Sequence, residues 1–438
     1  MKKILLLFLA LFISTASFSQ GILNLFGRSQ DLFKLLSEDK YTEAYSYFDP
    51  AFQAKVTEAN IKDLWAKLSE KFGKMENAGV VSSKTEGDFY TVILEVKFAN
   101  DSQNFLLAFN KTEKIVGLYL QPKSSAAVYT RPVYADTALY KEKEIYVKTP
   151  GHSLVGMLTE PKKGSGYPVV VLVHGSGPQD MDETMGPNKP LKDLALGLAS
   201  KGIASIRYVK RTKVYPMDFV GANTVKEEVL DDALAAIALA RTLPEVNKKQ
   251  LYLFGHSLGG MLAPRIALLA PDLNGILLAA APARSLTDII VEQNRYFFEL
   301  AKDTTAAGKL MLDSVNKKLD VTRITKLGTI KADSALFGLP AAYWIDLNNY
   351  KQAETAKKLK QRIFVAQGGN DFQVSVTDYN LWSAALGKKK NATLKLYPDL
   401  NHLLSSQTEK GTLQQYDSPA NVSSVLIDDI VAWIKAGT

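Results

Sequence analysis

The order of apolar and polar positions divides the chain into two parts. Over 31–48, Leu32, Leu35, Leu36, Tyr41, Ala44, Tyr45 and Phe48 recur at helical spacing, and over 57–72 Ile61, Leu64, Trp65, Leu68 and Phe72 do the same. The period then drops to two. Tyr90, Val92, Leu94, Val96 and Phe98 alternate with less apolar neighbours, and further strand-like stretches follow at 105–109 and 115–120. Ala99-Asn100-Asp101-Ser102 and Asn110-Lys111-Thr112-Glu113 supply the turns between them. Helices followed by a meander predict a small α+β module over 21–120, a curved sheet wrapped on helices. The stretch 121–138 carries Pro122, Ser124, Ser125 and Pro132 and no long apolar run, so it reads as a linker.

From 139 to 438 the pattern is that of an α/β domain. Stretches 143–148 and 153–158 read as a leading antiparallel pair. The run Pro168-Val169-Val170-Val171-Leu172-Val173 is almost continuously apolar, as a strand buried on both faces requires. Strands at 203–208, 250–254, 273–279, 362–366 and 393–397 alternate with helices at 191–199, 225–243, 258–269 and 422–435, which predicts a mostly parallel sheet covered on both sides. Between the strands at 273–279 and 362–366 lies an insertion, about 282–358, rich in aromatics: Tyr296, Phe297, Phe298, Phe337, Tyr343 and Trp344. Its place predicts a helical lid over a site at the carboxyl edge of the sheet.

Charge and composition narrow the classes. The chain of 438 residues is 46% hydrophobic and 22% charged, which is globular. Residues 1–19 are set apart: Lys2 and Lys3 precede an apolar run from Ile4 to Ile13, and Ser17-Phe18-Ser19 gives a small-x-small cleavage site. This is the pattern of a signal peptide, and the run is too short to span a bilayer. The expectation is an exported protein, periplasmic or extracellular, without an integral membrane segment. There are no cysteines, which excludes disulfides, thiolate metal sites and a cysteine nucleophile. The net charge of +8 is scattered rather than striped with aromatics, so no nucleic-acid partner is expected.

Gly255-His256-Ser257-Leu258-Gly259 carries the chemistry. It falls between an apolar strand and a helix, the context of a nucleophile elbow, in which Gly255 and Gly259 are small because chain and helix pass closely. Ser257 is the candidate nucleophile. Gly151-His152-Ser153-Leu154-Val155-Gly156 looks similar, but its second glycine comes one place late and it lies in an expected hairpin, so it receives no role. Serine needs a base. Of the four histidines, His152 belongs to that hairpin, His256 neighbours the serine and points away, and His174 ends a buried strand. His402, after the last strand, remains as base. Asp371, in the loop after the strand at 362–366, fits the orienting acid, with Asp399 as the competitor. An oxyanion hole needs two backbone N–H donors, expected from Leu258 and from Ser176 in the loop His174-Gly175-Ser176-Gly177-Pro178. No metal or cofactor is implied, since no zinc, P-loop or dinucleotide motif is present.

The runs 174–180, 186–190 and 207–212 together with the elbow resemble the EstD-like bacterial carboxylesterases, over most of 140–438, and 30–120 resemble their accessory domain, which is NTF2-like in appearance. The resemblance implies an α/β-hydrolase fold, a small carboxylic ester with a short acyl chain as substrate, and Ser257, Asp371 and His402 as the triad. Val209 stands where that pattern suggests an acid and Met181 where it suggests an arginine. Arg207, Lys210 and Arg211 read as a solvated loop, with substrate contact as the alternative. The same triad could serve a peptidase, a thioesterase or a cell-wall or polysaccharide deacylase. A hydrolase-fold binding protein without activity is the reading from a different class. The N-terminal module offers no convergent polar cluster, and homo-oligomerisation through it is left open.

Overall fold

A computed structural model describes residues 19–86, 89–121, 128–219, 221–302 and 305–437. The expected signal segment lies outside these, apart from Ser19. The chain divides into a small unit within 19–121 and a large one from 128 onward.

The small unit comprises helices α1 (Ser19–Ser37), α2 (Tyr41–Tyr45), α3 (Pro50–Gln53) and α4 (Glu58–Phe72), then strands β1 (Met75–Glu86), β2 (Phe89–Phe98), β3 (Ser102–Phe109) and β4 (Ile115–Leu120). The strands form an antiparallel sheet in the order β1-β2-β3-β4. The helix expected over 31–48 is broken: Asp39 takes a left-handed φ of 59°, which a helix interior does not tolerate. α4 starts where Thr57 caps it, with Thr57 Oγ1 accepting from Asn60 N and Asn60 Oδ1 accepting from Thr57 N. Ile61, Trp65 and Leu68 of α4 are buried, but Leu64 is 40% exposed, one residue off the buried face. Phe33 of α1 packs on Trp65 and Phe105 at ring distances of 6.0 and 4.9 Å. This aromatic core is drawn from residues of the small unit.

The large unit is built on an eight-stranded sheet. Its elements in chain order are β5 (Tyr140–Thr149), β6 (His152–Pro161), β7 (Tyr167–Val173), α5 (Pro190–Ser200), β8 (Ala204–Tyr208), α6 (Arg211–Val214), α7 (Asp231–Ala240), β9 (Val246–His256), α8 (Leu258–Leu269) and β10 (Gly275–Ala279). The insertion contributes α9 (Leu286–Leu300), α10 (Ala306–Leu319), a short hairpin of β11 (Ala335–Leu336) and β12 (Leu339–Pro340), α11 (Ala341–Asn349) and α12 (Gln352–Lys358). β13 (Arg362–Gly368), α13 (Val376–Leu386), β14 (Ala392–Tyr397) and α14 (Ser424–Lys435) complete it. The strand order is β14-β13-β10-β9-β7-β8-β6-β5. All neighbours are parallel except β6 with β8 and β5 with β6. This is the α/β-hydrolase fold.

The unbroken apolar run of β7 is explained by its place in the middle. Val169, Val171 and Val173 enter the core shared with α7 and α8, and Val170 and Leu172 the core shared with α5 and α14. α7 is preceded by a π-helical turn, Lys226–Leu230. Residues 129–135 have no regular structure but are fastened to the large unit: Tyr129 donates to Asp193 at 2.8 Å, Tyr134 donates to the Val422 carbonyl at 2.7 Å, and Ala135 is buried.

Candidate active site

Register puts the candidate residues on one edge. His256, Ala279 and Ala366 are aligned neighbours in parallel strands, so the residues that follow β9, β10 and β13 leave the sheet together at its carboxyl end. Ser257 sits at the turn from β9 into α8 with φ 50° and ψ −115°, a strained conformation for a residue with a Cβ. Its N–H donates to Ala279 O at 2.9 Å, and its carbonyl accepts from Met261 N at 2.9 Å. The turn tolerates no bulk beside it. A Cβ on Gly255 would stand 2.2 Å from Gly259 O, and one on Gly259 2.6 Å from the Val173 and His174 carbonyls. Gly255 and Gly259 therefore let helix α8 lie directly on the strand ends.

His402 and Asp371 are brought together from the loops after β14 and β13. His402 Nδ1 lies 2.8 Å from Asp371 Oδ2. Asp371 is completely buried, and its other oxygen accepts from Gln373 N at 2.8 Å and Val374 N at 2.9 Å. Asp399 is exposed and engaged in the turn, where its carbonyl accepts from Gln407 N and Ser406 Oγ reaches toward its carboxylate.

The loop after β7 is held by two carboxylates. Gly175 N donates to Glu183 Oε1 at 2.6 Å and Gly177 N to Glu228 Oε1 at 3.3 Å. Between them Ser176 is exposed, and its N–H has no acceptor among the described residues. A Cβ on Gly175 would come within 3.2 Å of the Ser257 Cβ, so this loop lies against the candidate nucleophile. Leu258, the first residue of α8, is buried beside it.

Two of these carboxylates were not legible as site residues. Glu183 belongs to no motif. It is 4% exposed, has a left-handed φ of 54°, and accepts from His256 Nδ1 at 3.0 Å as well as from Gly175. Burial pushes the Glu183 carboxyl up, but His256 beside it wins and holds it down at about 2. For His256 burial opposes the charge, while Glu183 raises it above the ordinary histidine range. His174 is buried with Nε2 unpartnered, and burial pushes it down to about 4, so it is neutral.

Arg207, Lys210 and Arg211 are corrected by the structure. They form neither a solvated loop nor a set of groups free for substrate. All three are buried. Arg207 donates to Asp182, Thr159 and Glu142 at 2.8, 2.6 and 2.6 Å. Lys210 donates to the Gly175 carbonyl at 2.7 Å and to Glu228 at 2.5 Å. Arg211 Nε donates to Asp232 at 3.0 Å. The physical reason is distance in sequence: each cation meets an acid contributed by another segment.

The insertion is fastened rather than free. Tyr343 of α11 donates to Glu228 Oε2 at 2.6 Å, Arg284 is paired with the buried Asp378 at 2.7 Å, and Tyr350 donates to Met261 O at 3.1 Å. Tyr296 and Phe297 of α9 pack on Phe372, next to Asp371, at ring distances of 6.0 and 5.6 Å. Among the described residues no group of three or more histidines and acids is placed to hold a metal ion.

Residues 29–118 match the family described as Protein of unknown function (DUF3887), and 224–409 that described as Serine aminopeptidase, S33. The chain is 32% identical to Esterase EstD of Thermotoga maritima over 399 residues, covering 91% of this chain and 92% of that one. Structural similarity extends to Est1E from Butyrivibrio proteoclasticus, with 16% identity and a TM-score of 0.44 over 67% of this chain and 99% of that one. It extends also to the acylaminoacyl peptidase of Pyrococcus horikoshii, with 12% identity and a TM-score of 0.43 over 74% and 52%. The EstD match runs along nearly the whole of both sequences, and the chain belongs to the EstD family of esterase-type α/β-hydrolases.

Proposed function

We propose that the protein cleaves carboxylic esters, short acyl chains first among them, through an acyl-enzyme on Ser257. His402 takes the Ser257 proton and returns it to the leaving alcohol, while Asp371 fixes the His402 tautomer and stabilises the imidazolium. The N–H groups of Ser176 and Leu258 receive the oxyanion, and a water repeats the sequence to release the acid. The observation that carries this reading is the His402–Asp371 bond of 2.8 Å on the same sheet edge as a serine held at φ 50°. The unclaimed Ser176 N–H, between two neighbours that are both claimed, supports the oxyanion assignment.

The description Serine aminopeptidase for residues 224–409 favours a second reading in which the same groups attack a peptide bond. The natural compartment is proposed to be outside the cytoplasm, on the residue pattern of 1–19.

The test is hydrolysis of p-nitrophenyl esters of increasing chain length, and of peptide p-nitroanilides, by the wild type and Ser257→Ala. Ester turnover that falls with chain length and vanishes in Ser257→Ala supports the proposal. Anilide turnover above ester turnover favours the peptidase. Equal activity in both proteins overturns either reading.

A further inference from the structure

Both ring nitrogens of His256 face oxygen acceptors. Nδ1 is 3.0 Å from Glu183 Oε1, and Nε2 is 2.8 Å from the carbonyl oxygen of His402. A neutral imidazole has one N–H and would leave two lone pairs facing each other at one of these contacts; only the imidazolium donates to both. His256 is 2% exposed, so no water relieves the mismatch. The Glu183 oxygen that receives His256 also receives the Gly175 N–H, at 2.6 Å. One chain of bonds thus runs from the loop carrying Ser176, through Glu183 and His256, to the main chain of His402.

We infer that Glu183 and protonated His256 form a buried positioning pair, which fastens the His402 main chain to the oxyanion loop and neutralises a carboxylate lodged beside Ser257. The inference rests on the reading of Ser257 and His402 given above. It follows from where the charge lies. A Cβ on Gly175 would approach Glu183 Oε1 to 2.8 Å and the Ser257 Cβ to 3.2 Å, so the carboxylate sits near the nucleophile. Acyl transfer builds negative charge there, and a buried uncompensated anion would oppose it. The His256 cation removes that opposition. Glu183 also keeps a left-handed backbone, a strained conformation that persists only where the surroundings impose it.

Other charges facing the pair agree with this assignment. Asp371, from the loop after β13, adds to Glu183 in favouring the His256 proton. His402, from the loop after β14, stands with its ring 4.8 Å from that of His256. His174 faces Glu183 and is itself faced by Lys210 and Asp180. When His402 takes the Ser257 proton, two imidazolium ions are balanced by two carboxylates, Glu183 and Asp371. At alkaline pH His256 loses its proton. One of its bonds then fails and a net negative charge remains by the oxyanion site. The enzyme therefore carries an alkaline limb in kcat, with KM little changed.

The experiment measures kcat and KM for p-nitrophenyl acetate from pH 6 to 10 in wild type, Glu183→Gln, His256→Gln and the double variant. His256→Gln leaves the Glu183 anion bare and is expected to lose about a hundredfold in kcat. Glu183→Gln keeps the shape without the charge, loses about tenfold, and loses the alkaline limb. The double variant is expected to recover part of the His256→Gln loss, which a purely structural role does not produce. An alkaline limb unchanged in Glu183→Gln, or a double variant no better than His256→Gln, overturns the positioning role. Where a variant does not fold, the 15N spectrum of histidine-labelled protein carrying His152→Gln decides. An imidazole protonated on both nitrogens at pH 8 is expected, and its absence overturns the inference. Ser257→Ala in the same assay separates the two levels. If it retains turnover, the reading of the site fails; if it is inactive and the limb is unaltered, only the positioning pair fails.

Discussion

His402 Nδ1 and Asp371 Oδ2 are 2.8 Å apart, and Asp371 is surrounded by donors alone: His402 and Gln367 Nε2 on one oxygen, the Gln373 and Val374 N–H groups on the other. The substitution Asp371→Asn would turn an NH2 group toward one of these donors whichever way the amide is placed. It would also favour the wrong His402 tautomer. The variant is expected to lower kcat by about 10⁴-fold, the size seen for the same change in a serine protease triad, with KM little altered. Asp399→Asn is expected to leave kcat within about twofold of wild type, since exposed turn substitutions rarely propagate. Steady-state kinetics on both variants checks the choice of acid, and a reversed order overturns it.

The φ of 50° at Ser257 stores strain that glycine would release. Ser257→Ala and Ser257→Gly both remove the hydroxyl, so both are expected to be inactive. They should differ in stability: the glycine variant is expected to exceed the alanine variant by about 1 kcal/mol, after its larger unfolded-state entropy is subtracted. Urea unfolding of the two variants measures this directly. Equal midpoints would show that the turn holds no strain.

His174 gives a pH dependence of known sign. Burial holds it down at about 4 in the folded chain, against 6.5 for an ordinary histidine. Between these values the unfolded state binds a proton that the folded state refuses. Stability therefore falls as pH drops from 6.5 toward 4, by about 3 kcal/mol from this group. Asp193 works in the opposite sense, because burial raises it to about 6 and its protonated form is favoured on folding. The readout is thus the difference between wild type and His174→Phe, in which the ring contact with Tyr208 is kept. The variant is expected to lose less stability on going from pH 7 to pH 5, and parallel curves would overturn the assignment.

What was legible in the sequence was what periodicity and strand context carry. β7 reads as a buried strand because both its faces meet helices, and α8 was bounded correctly because the elbow marks its start. β1 left no signal: among its described side chains Ala78 alone is fully buried, and the sequence Ser82-Ser83-Lys84-Thr85 shows no alternation of apolar and polar residues. Arg207, Lys210 and Arg211 looked like a polar loop because Asp182, Glu228 and Asp232, which bury them, come from other segments. Glu183 was invisible for the same reason. Its partners are Gly175 and His256, and only the fold brings them together.

Lys210 decides whether these buried cations serve binding or architecture. Its ammonium donates to the Gly175 carbonyl at 2.7 Å and to Glu228 Oε1 at 2.5 Å, while Tyr343 from the insertion takes Glu228 Oε2 at 2.6 Å. Glu228 also receives Gly177 N–H, so the insertion, the π-helical turn and the loop carrying Ser176 share one carboxylate. Lys210→Met leaves that carboxylate buried and unpaired, and is expected to cost about 3–5 kcal/mol. Lys210→Met with Glu228→Gln removes both charges and is expected to regain at least half of the loss. Tyr343→Phe deletes one bond to Glu228 and is expected to cost about 1–3 kcal/mol and to lower kcat, because Gly177 then loses a fixed partner. KM for a small neutral ester should stay near the wild-type value in all three, since Lys210 faces the protein and not the substrate. Denaturant unfolding and steady-state kinetics on the same preparations separate the alternatives. A raised KM with unchanged stability would return Lys210 to the binding site, and lost stability with unchanged KM keeps it in the framework that holds the loop carrying Ser176.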